Sequence, residues 1–358
     1  TYGYISSIDD FFPVADIYAM EVWALLLRAL PQRERPFREH LFEALQVVHP
    51  SLLSTVPALR DAALDVFGAS ASFKCYQPVL SHELFVGSLV TLLGDSRTQR
   101  MPKLASQIYT IISEISTEEN YLVSIMTEPL RSRTINLILG HLTDCTEALS
   151  KTEDEENRIT EKSILSSSRR REILALRVDA LKALRNCARH TKFRSDLVTA
   201  NSGAIEKALL LFISNHVSWL KINQGALIDD EGRVTLINAF SDRLEAENGD
   251  DGDDPCSTRG QGDCAALFLA IEILFYFCLR PHRGDKFSDF VGFALSTLSV
   301  EQEQDCAGLL LVLWTWARKA TGKPSVDQST GWSTAAPILA HHTSCVLMRL
   351  LLSDHTRS

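Results

Sequence analysis

Apolar residues recur along most of this chain at the three- and four-residue spacing of an α-helix. Runs that alternate between apolar and polar side chains, as half-buried strands do, are nearly absent. A helix with one apolar face buries that face against other helices. The chain also shows no alternation of strands and helices, which argues against doubly wound and barrel enzyme folds. The sequence therefore predicts an all-α protein.

The predicted helices form two groups. They cover about 16–30, 36–48, 51–67, 81–93, 98–115, 118–127 and 129–149, and then about 168–190, 193–200, 203–220, 231–246, 263–280, 285–299, 301–320 and 332–353. We place Pro50 between two helices because proline lacks the N–H that a helix interior requires. Ser81 has the hydroxyl of a typical helix N-cap and is predicted to begin the helix that follows it.

Two polar stretches divide the chain. Residues 150–168 (SKTEDEENRITEKSILSSS) are predicted to be a charged linker, and residues 247–262 (ENGDDGDDPCSTRGQG) an acidic, disordered loop. Residues 1–149 are then the N-terminal helical repeats, and residues 169–354 the C-terminal ones. Loops of this length are uncommon in compact domains unless they are disordered or functional.

Composition indicates the environment of the chain. The most apolar run, residues 264–279, is shorter than the roughly 20 residues of a membrane span and carries Glu272 at its centre. It is predicted to be a buried core helix, and no membrane association is expected. The eight cysteines are scattered and no N-glycosylation sequon occurs, so we predict the cytoplasm or the nucleus. The first residue is Thr1 rather than Met, so the chain could be a piece of a longer protein.

An internal similarity connects two segments that lie 75 positions apart. When residues 112–137 are aligned with residues 187–212, the Leu-Val pair at 122–123 falls on the Leu-Val pair at 197–198, and the helix breaks nearly coincide. Self-similarity at a fixed period is the signature of repeat architectures. A generic pair of helix–turn–helix segments would align almost as well, and that alternative remains open.

Residues 179–211 resemble the junction of an armadillo repeat. The matching elements are ALRNCA at 183–188, LV at 197–198 and SGAI at 202–205, where Gly203 suits a tight turn between helices. The resemblance implies a right-handed α-solenoid of degenerate armadillo/HEAT-like repeats with a concave groove. In the nuclear-import branch of the family, groove helices carry a Trp and an Asn one turn apart. Asn186 matches the Asn position, but Lys182 occupies the Trp position, which argues against an import receptor.

A basic face on the predicted helix 168–190 is the candidate binding site. Lys182, Arg185 and Arg189 are spaced three and four residues apart, so they share one side of the helix. Two interpretations are open, a solvated face and a surface for an anionic ligand. If the armadillo register holds, this face lines the groove. The predicted partner-binding residues are therefore Lys182, Arg185, Asn186 and Arg189, with Asn186 able to hydrogen-bond a partner's backbone.

No catalytic or cofactor site is predicted. His341, His342 and Cys345 share one helix, but a structural zinc site needs four ligands and nothing nearby completes the set. The acids at 250–254 lack the ligand alternation of a calcium loop. The net charge is −9, and residues 241–263, with eight acids and two arginines, contribute 2 − 8 = −6 of it. The chain is therefore not a typical nucleic-acid binder.

Together these features predict a non-enzymatic protein–protein interaction scaffold or adaptor within a larger assembly. It would bind an extended, acidic or phosphorylated partner segment in a concave helical groove. The alternative function is binding of a nucleic-acid backbone by the same basic helix face. A steep salt dependence of the affinity would distinguish that alternative.

Overall fold

A computed structural model of the chain describes residues 12–29, 40–95, 101–117, 128–156, 163–190 and 258–278, together with 194, 205, 208–213, 310–311, 314 and 340–348. Within these residues every regular element is a helix and no strand occurs. The prediction of an all-α protein is confirmed for this part of the chain.

The labelled helices lie between residues 12 and 189 and at residues 258–278. They are α1 (Phe12–Ala29), α2 (Leu41–Leu52), α3 (Pro57–Ala71), α4 (Gln77–Leu80), α5 (Glu83–Leu93), α6 (Pro102–Ile115), α7 (Glu128–Glu156), α8 (Ser163–Arg189) and α9 (Thr258–Cys278). Residues 340–348 are also helical. The chain divides into two compact units, an N-terminal unit of residues 1–141 and a C-terminal unit of residues 142–358.

Helix α6 shows how the sequence specifies an element of the N-terminal unit. Its buried side chains include Leu104, Ile108, Ile111 and Ile115, at the spacing of one helical face. Pro102 is the first residue of α6, a position where the fixed backbone angle of proline suits a helix and its missing N–H is not needed. The apolar stripe thus sets the direction of the helix, and the proline sets its start.

The core of the N-terminal unit is built around α3, which packs against α1, α2 and α6. Phe85 of α5 is fully buried and contacts Phe42 and Phe67, with ring centroids 5.6 Å and 5.5 Å away. These distances are typical of tilted and edge-to-face aromatic pairs, which stabilise a core beyond the area that they bury.

In the C-terminal unit, α8 and α9 pack against each other. The described side chains of residues 266–277 are all buried except those of Glu272 and Tyr276, which are half-buried. The prediction of a buried core helix in residues 264–279 is therefore confirmed where the structure describes it. Between residues 266 and 277, α9 is apolar on nearly every side, and its Glu272 carboxylate lies 3.9 Å from Arg185 of α8.

The predicted linker proves to be partly helical. Helix α7 continues through Glu156 and α8 begins at Ser163, so that only residues 157–162 of the stretch lie outside the described part. Lys and Glu are good helix formers, so a polar sequence can extend a helix that packing has begun. The division of the chain at 149 and 169 stays a prediction. The boundary between the two compact units falls in the sequence between His141 and Leu142.

Two further predictions about helix ends are corrected. Pro50 lies inside the last turn of α2, where Leu53 donates a hydrogen bond of 3.2 Å to its carbonyl oxygen. A proline this close to the end of a helix removes one bond without breaking a long run. Ser81 ends α4, and the residue that caps α5 is His82, whose Nδ1 accepts from the Leu84 N–H at 3.3 Å.

Of the acidic loop, residues 258–262 belong to α9, and residues 247–257 lie outside the described residues.

Candidate partner-binding surface

Helix α8 carries all four predicted site residues, but it exposes them unequally. Lys182 and Arg189 are exposed, Arg185 is half-buried and Asn186 is buried, with 2% of its surface accessible. Helix α9 packs against α8, and its Glu272 lies beside Arg185 of the basic face. Lys182 and Arg189 remain about 10 Å apart along the helix axis, which is seven residues at the usual rise.

An acid one turn earlier on α8 compensates Lys182. Its Nζ donates a hydrogen bond to Oδ1 of Asp179 at 3.2 Å, and 48% of the Lys182 side chain is exposed. The Asp179 side chain is only 16% exposed, but water reaches and screens the exposed ammonium group, so the pair adds little stability. The ammonium group can therefore turn from Asp179 to another anion at a small cost in free energy.

Arg185 is held by two different elements. Its Nε and Nη2 donate to Oδ1 of the adjacent Asn186 at 3.1 Å and 2.9 Å. Its Nη1 lies 3.9 Å from Oε2 of Glu272 on α9, whose side chain is only 12% exposed. Arg185 is thus fixed in direction and partly neutralised, whereas the sequence alone suggests an open cation.

The position of Asn186 differs from the prediction. We expected its amide to reach a partner's backbone, but the side chain is buried and its Oδ1 accepts from Arg185. Buried amides are satisfied inside the protein as a rule, since an unmade hydrogen bond there is costly. Asn186 acts on this surface indirectly, by holding the Arg185 guanidinium.

Glu272 and Tyr276 are the functional candidates that sequence reasoning did not select. Tyr276 Oη donates to Oε1 of Glu272 at 3.2 Å, one turn away on α9. Burial, followed by the negative charge of Glu272, raises the pKa of Tyr276, and the positive charges of Arg189 and Arg185 oppose that rise. The available signal was the single charge in the apolar run of residues 264–279. That charge has a partner on the helix that carries the basic face.

A second arginine, Arg194, forms a hydrogen bond with α9. Arg194 is buried, and its Nη1 donates to the backbone carbonyl oxygen of Tyr276 at 3.1 Å. Arg177, also buried on α8, places its guanidinium carbon 4.9 Å from the centre of the Phe212 ring, a cation–π contact. Arginines thus make buried contacts inside the C-terminal unit as well as forming the basic face on its surface.

The thiols of Cys145 and Cys187 have low reactivity. Burial raises the pKa of Cys145 and that of Cys187 to about 12. The thiolate, which is the reactive form, is therefore scarce at neutral pH. Neither cysteine forms a disulfide.

The histidines and cysteine at 341–345 pack with an aromatic ring. The His342 ring stacks on Phe275 at a centroid distance of 4.1 Å, and Cys345 Sγ lies 3.9 Å from His341 Nε2. Among the residues that the structure describes, no group of three or more His, Cys, Asp or Glu side chains could hold a metal ion. Nor does any helix in the same residues have the length and apolar character needed to cross a membrane.

Comparison with models of known protein families finds no match, and comparison with curated protein sequences finds no significant relative. The resemblance to armadillo and HEAT repeats therefore stays a prediction. The segments that carry its turn, residues 197–204, lie outside the described residues.

Proposed function

We propose that this protein is a non-enzymatic scaffold or adaptor, a right-handed α-solenoid that binds an extended acidic or phosphorylated segment of a partner protein. The all-helical architecture of the described residues supports the first part of the proposal. The observation that carries the second part is the pair of exposed cations, Lys182 and Arg189, on either side of the fixed Arg185–Glu272 pair.

The geometry suggests how such a segment would be recognised. Two cations about 10 Å apart suit an extended chain with carboxylates or phosphates about three residues apart, because such a chain rises about 3.3 Å per residue. Charge-assisted hydrogen bonds of this kind are about twice as strong as neutral ones. Glu272 shapes the surface between the two cations, since it withdraws Arg185 from solvent.

The test is a double charge reversal, Lys182→Glu with Arg189→Glu. Both side chains are exposed, so the fold should survive. Fluorescence anisotropy would measure binding of a labelled peptide with phosphoserines three residues apart, and of its unphosphorylated counterpart. We expect the variant to bind the phosphopeptide at least about tenfold more weakly than the wild type. The matched control is Arg169→Glu with Arg171→Glu, two exposed arginines at the other end of α8, which should bind normally.

Equal loss in both variants would mean that the peptide senses only the overall charge of α8 and would contradict the proposal. A labelled DNA duplex of random sequence tests the alternative function. Binding that weakens steeply with salt and exceeds binding of the phosphopeptide would favour a nucleic-acid backbone as the ligand.

A further inference from the structure

Helix α1 is apolar on two opposite sides. Its inner side buries Met20, Ala24 and Leu27 in the core of the N-terminal unit. Its outer side exposes large apolar side chains, with accessible fractions of 63% for Tyr18 and 61% for Leu25. An apolar surface that is contiguous along a whole helix is a common mark of an interaction site.

The outer side has the spacing of a helix-pairing seam. Tyr18, Val22, Leu25 and Ala29 are all exposed and are separated by four, three and four residues, the repeat of two helices that pack side by side. On one flank of this seam the residues Ala19 and Leu26 are apolar. The other flank carries one acid and one base, Glu21 and Arg28, one heptad apart.

We propose that α1 pairs with α1 of a second copy of this chain, in an antiparallel two-helix contact around a two-fold axis. In the register that centres the seam, Val22 lies opposite Leu25 of the second copy. Tyr18 lies opposite Ala29 of the second copy, a large side chain against a small one. Each of these pairs occurs twice, because a two-fold interface repeats every contact.

The charges on the flank select this orientation. A two-fold axis across antiparallel helices sets each flank beside the same flank of the other copy, so Glu21 meets Arg28 of the second copy, twice. A parallel pair would set Glu21 and Arg28 beside the apolar flank of Ala19 and Leu26, where neither charge has an opposite. Flanking charges of this type determine partner and orientation in paired helices.

Arg28 can serve both contacts. In the chain itself its Nη2 lies 3.2 Å from Oδ1 of Asp65 on α3, and both side chains are about half exposed. A guanidinium carries five N–H donors and can bind a second carboxylate without releasing the first. The ion pair with Asp65 also orients the arginine on the flank before association.

The contact is small. With 18 residues, α1 is about 27 Å long, so one helix pair buries less than the usual area of a permanent dimer. We therefore expect a reversible dimer with a dissociation constant in the micromolar range.

Sedimentation equilibrium of the full chain, from about 1 μM to about 100 μM, would measure the association. Leu25→Glu places a charge in the centre of the seam and should abolish dimerisation, while circular dichroism stays unchanged because Leu25 is exposed. Asp16→Arg is the matched control. It changes the charge of the same helix away from the seam and should leave the dimer intact. A wild type that is monomeric throughout, or a dimer that Leu25→Glu leaves intact, would overturn the proposal.

A charge exchange tests the orientation. Glu21→Arg alone and Arg28→Glu alone each place like charges together twice and should weaken the homodimer about tenfold. An equimolar mixture of the two variants restores opposite charges at both places, so heterodimers should form with nearly wild-type affinity. Glu21→Arg leaves the Arg28–Asp65 pair untouched and so separates the flank charge from any effect on the fold. Weakening of both variants without rescue in the mixture would exclude the antiparallel register.

Discussion

The two compact units bury polar groups in different ways. In the described part of the N-terminal unit, buried polar contacts between helices are made by neutral groups, such as the hydrogen bond of 2.7 Å between Tyr109 Oη and His141 Nδ1, and the charged contact of Arg28 with Asp65 is exposed. In the C-terminal unit the contacts that join elements are made by charged groups, as between Arg185 and Glu272 or between Arg194 and the carbonyl oxygen of Tyr276. An aromatic cluster around Phe85 lies in the first core, whereas in the second unit arginines add charged contacts to the apolar packing of α8 and α9.

This difference teaches where a binding surface can arise on an all-helical chain. An arginine network at a helix interface keeps charges near the surface and fixes their direction. The proposed surface for an acidic partner accordingly lies in the C-terminal unit, beside its arginine contacts, whereas the proposed self-association face on α1 of the N-terminal unit is apolar.

The largest effect is expected in the aromatic core. Phe85→Ala should lower the free energy of unfolding by about 3–5 kcal/mol, because it removes a fully buried ring with several aromatic neighbours. Urea denaturation would measure the loss, and hydrogen exchange would locate it in peptides of α3 and α5. The adjacent Leu84 is 39% exposed, so Leu84→Ala should cost less than about 1 kcal/mol. Similar losses for both variants would argue against the packing described for Phe85.

The next effect belongs to the charged interface. Glu272→Leu should lower the free energy of unfolding by about 1–3 kcal/mol, because it leaves Arg185 and Tyr276 without their carboxylate. This range is below that of a fully buried pair, since Arg185 is 22% exposed and the charges are 3.9 Å apart. The double variant Arg185→Leu with Glu272→Leu should recover part of the loss. Additive losses in this double-mutant cycle would show that the pair contributes no coupling.

A smaller effect is expected from the neutral contact of the N-terminal unit. Tyr109→Phe keeps the ring and removes the hydrogen bond to His141, so the free energy of unfolding should fall by about 1–2 kcal/mol. Tyr18→Phe alters an exposed tyrosine and should stay within about 0.5 kcal/mol of the wild type. If Glu272→Leu lowers the free energy of unfolding less than Tyr109→Phe does, the expected contrast between the two units is wrong.

The smallest effect concerns pH. Burial lowers the pKa of His49 below 6.5, against the opposing influence of a backbone hydrogen bond with Leu84. The unfolded chain therefore takes up a proton at His49 more readily than the folded one. The stability that depends on neutral His49 is present above pH 6.5 and is lost as the pH falls below that value. His49→Gln should flatten this part of the stability profile. An unchanged slope between about pH 7 and about pH 5 would assign the pH dependence to other groups.

The sequence predicted the helices well where packing creates a stripe. Helix α6 was expected at 98–115 and is found at Pro102–Ile115. The spacing of its isoleucines places them on one face of a helix, and burial of that face favours the helical conformation. The sequence-based prediction was wrong at the C-terminal end of α7 and at the start of α8, where the residues are polar and no apolar pattern shows where the helix ends. Helix length there depends on local propensity and on the rest of the helix rather than on burial.

The candidate site was only partly predictable for a related reason. The i, i+3, i+7 spacing of Lys182, Arg185 and Arg189 follows from the helix alone. The contact of Arg185 with Glu272 follows from the packing of α9, where Glu272 lies 87 positions further along the chain, and the burial of Asn186 likewise depends on tertiary packing. Which face of a helix meets a distant partner is a property of the whole fold, and a local pattern does not contain it.

The rates at which the buried thiols of Cys145 and Cys187 react can report how often the helices α7 and α8 open. Since each is protonated and covered at neutral pH, a thiol reagent modifies it only during the moments when α7 or α8 opens. The half-exposed Cys75 offers an accessible reference in the same molecule. The delay between modification of Cys75 and of the two buried thiols thus records how often each helix opens, without any substitution having been introduced.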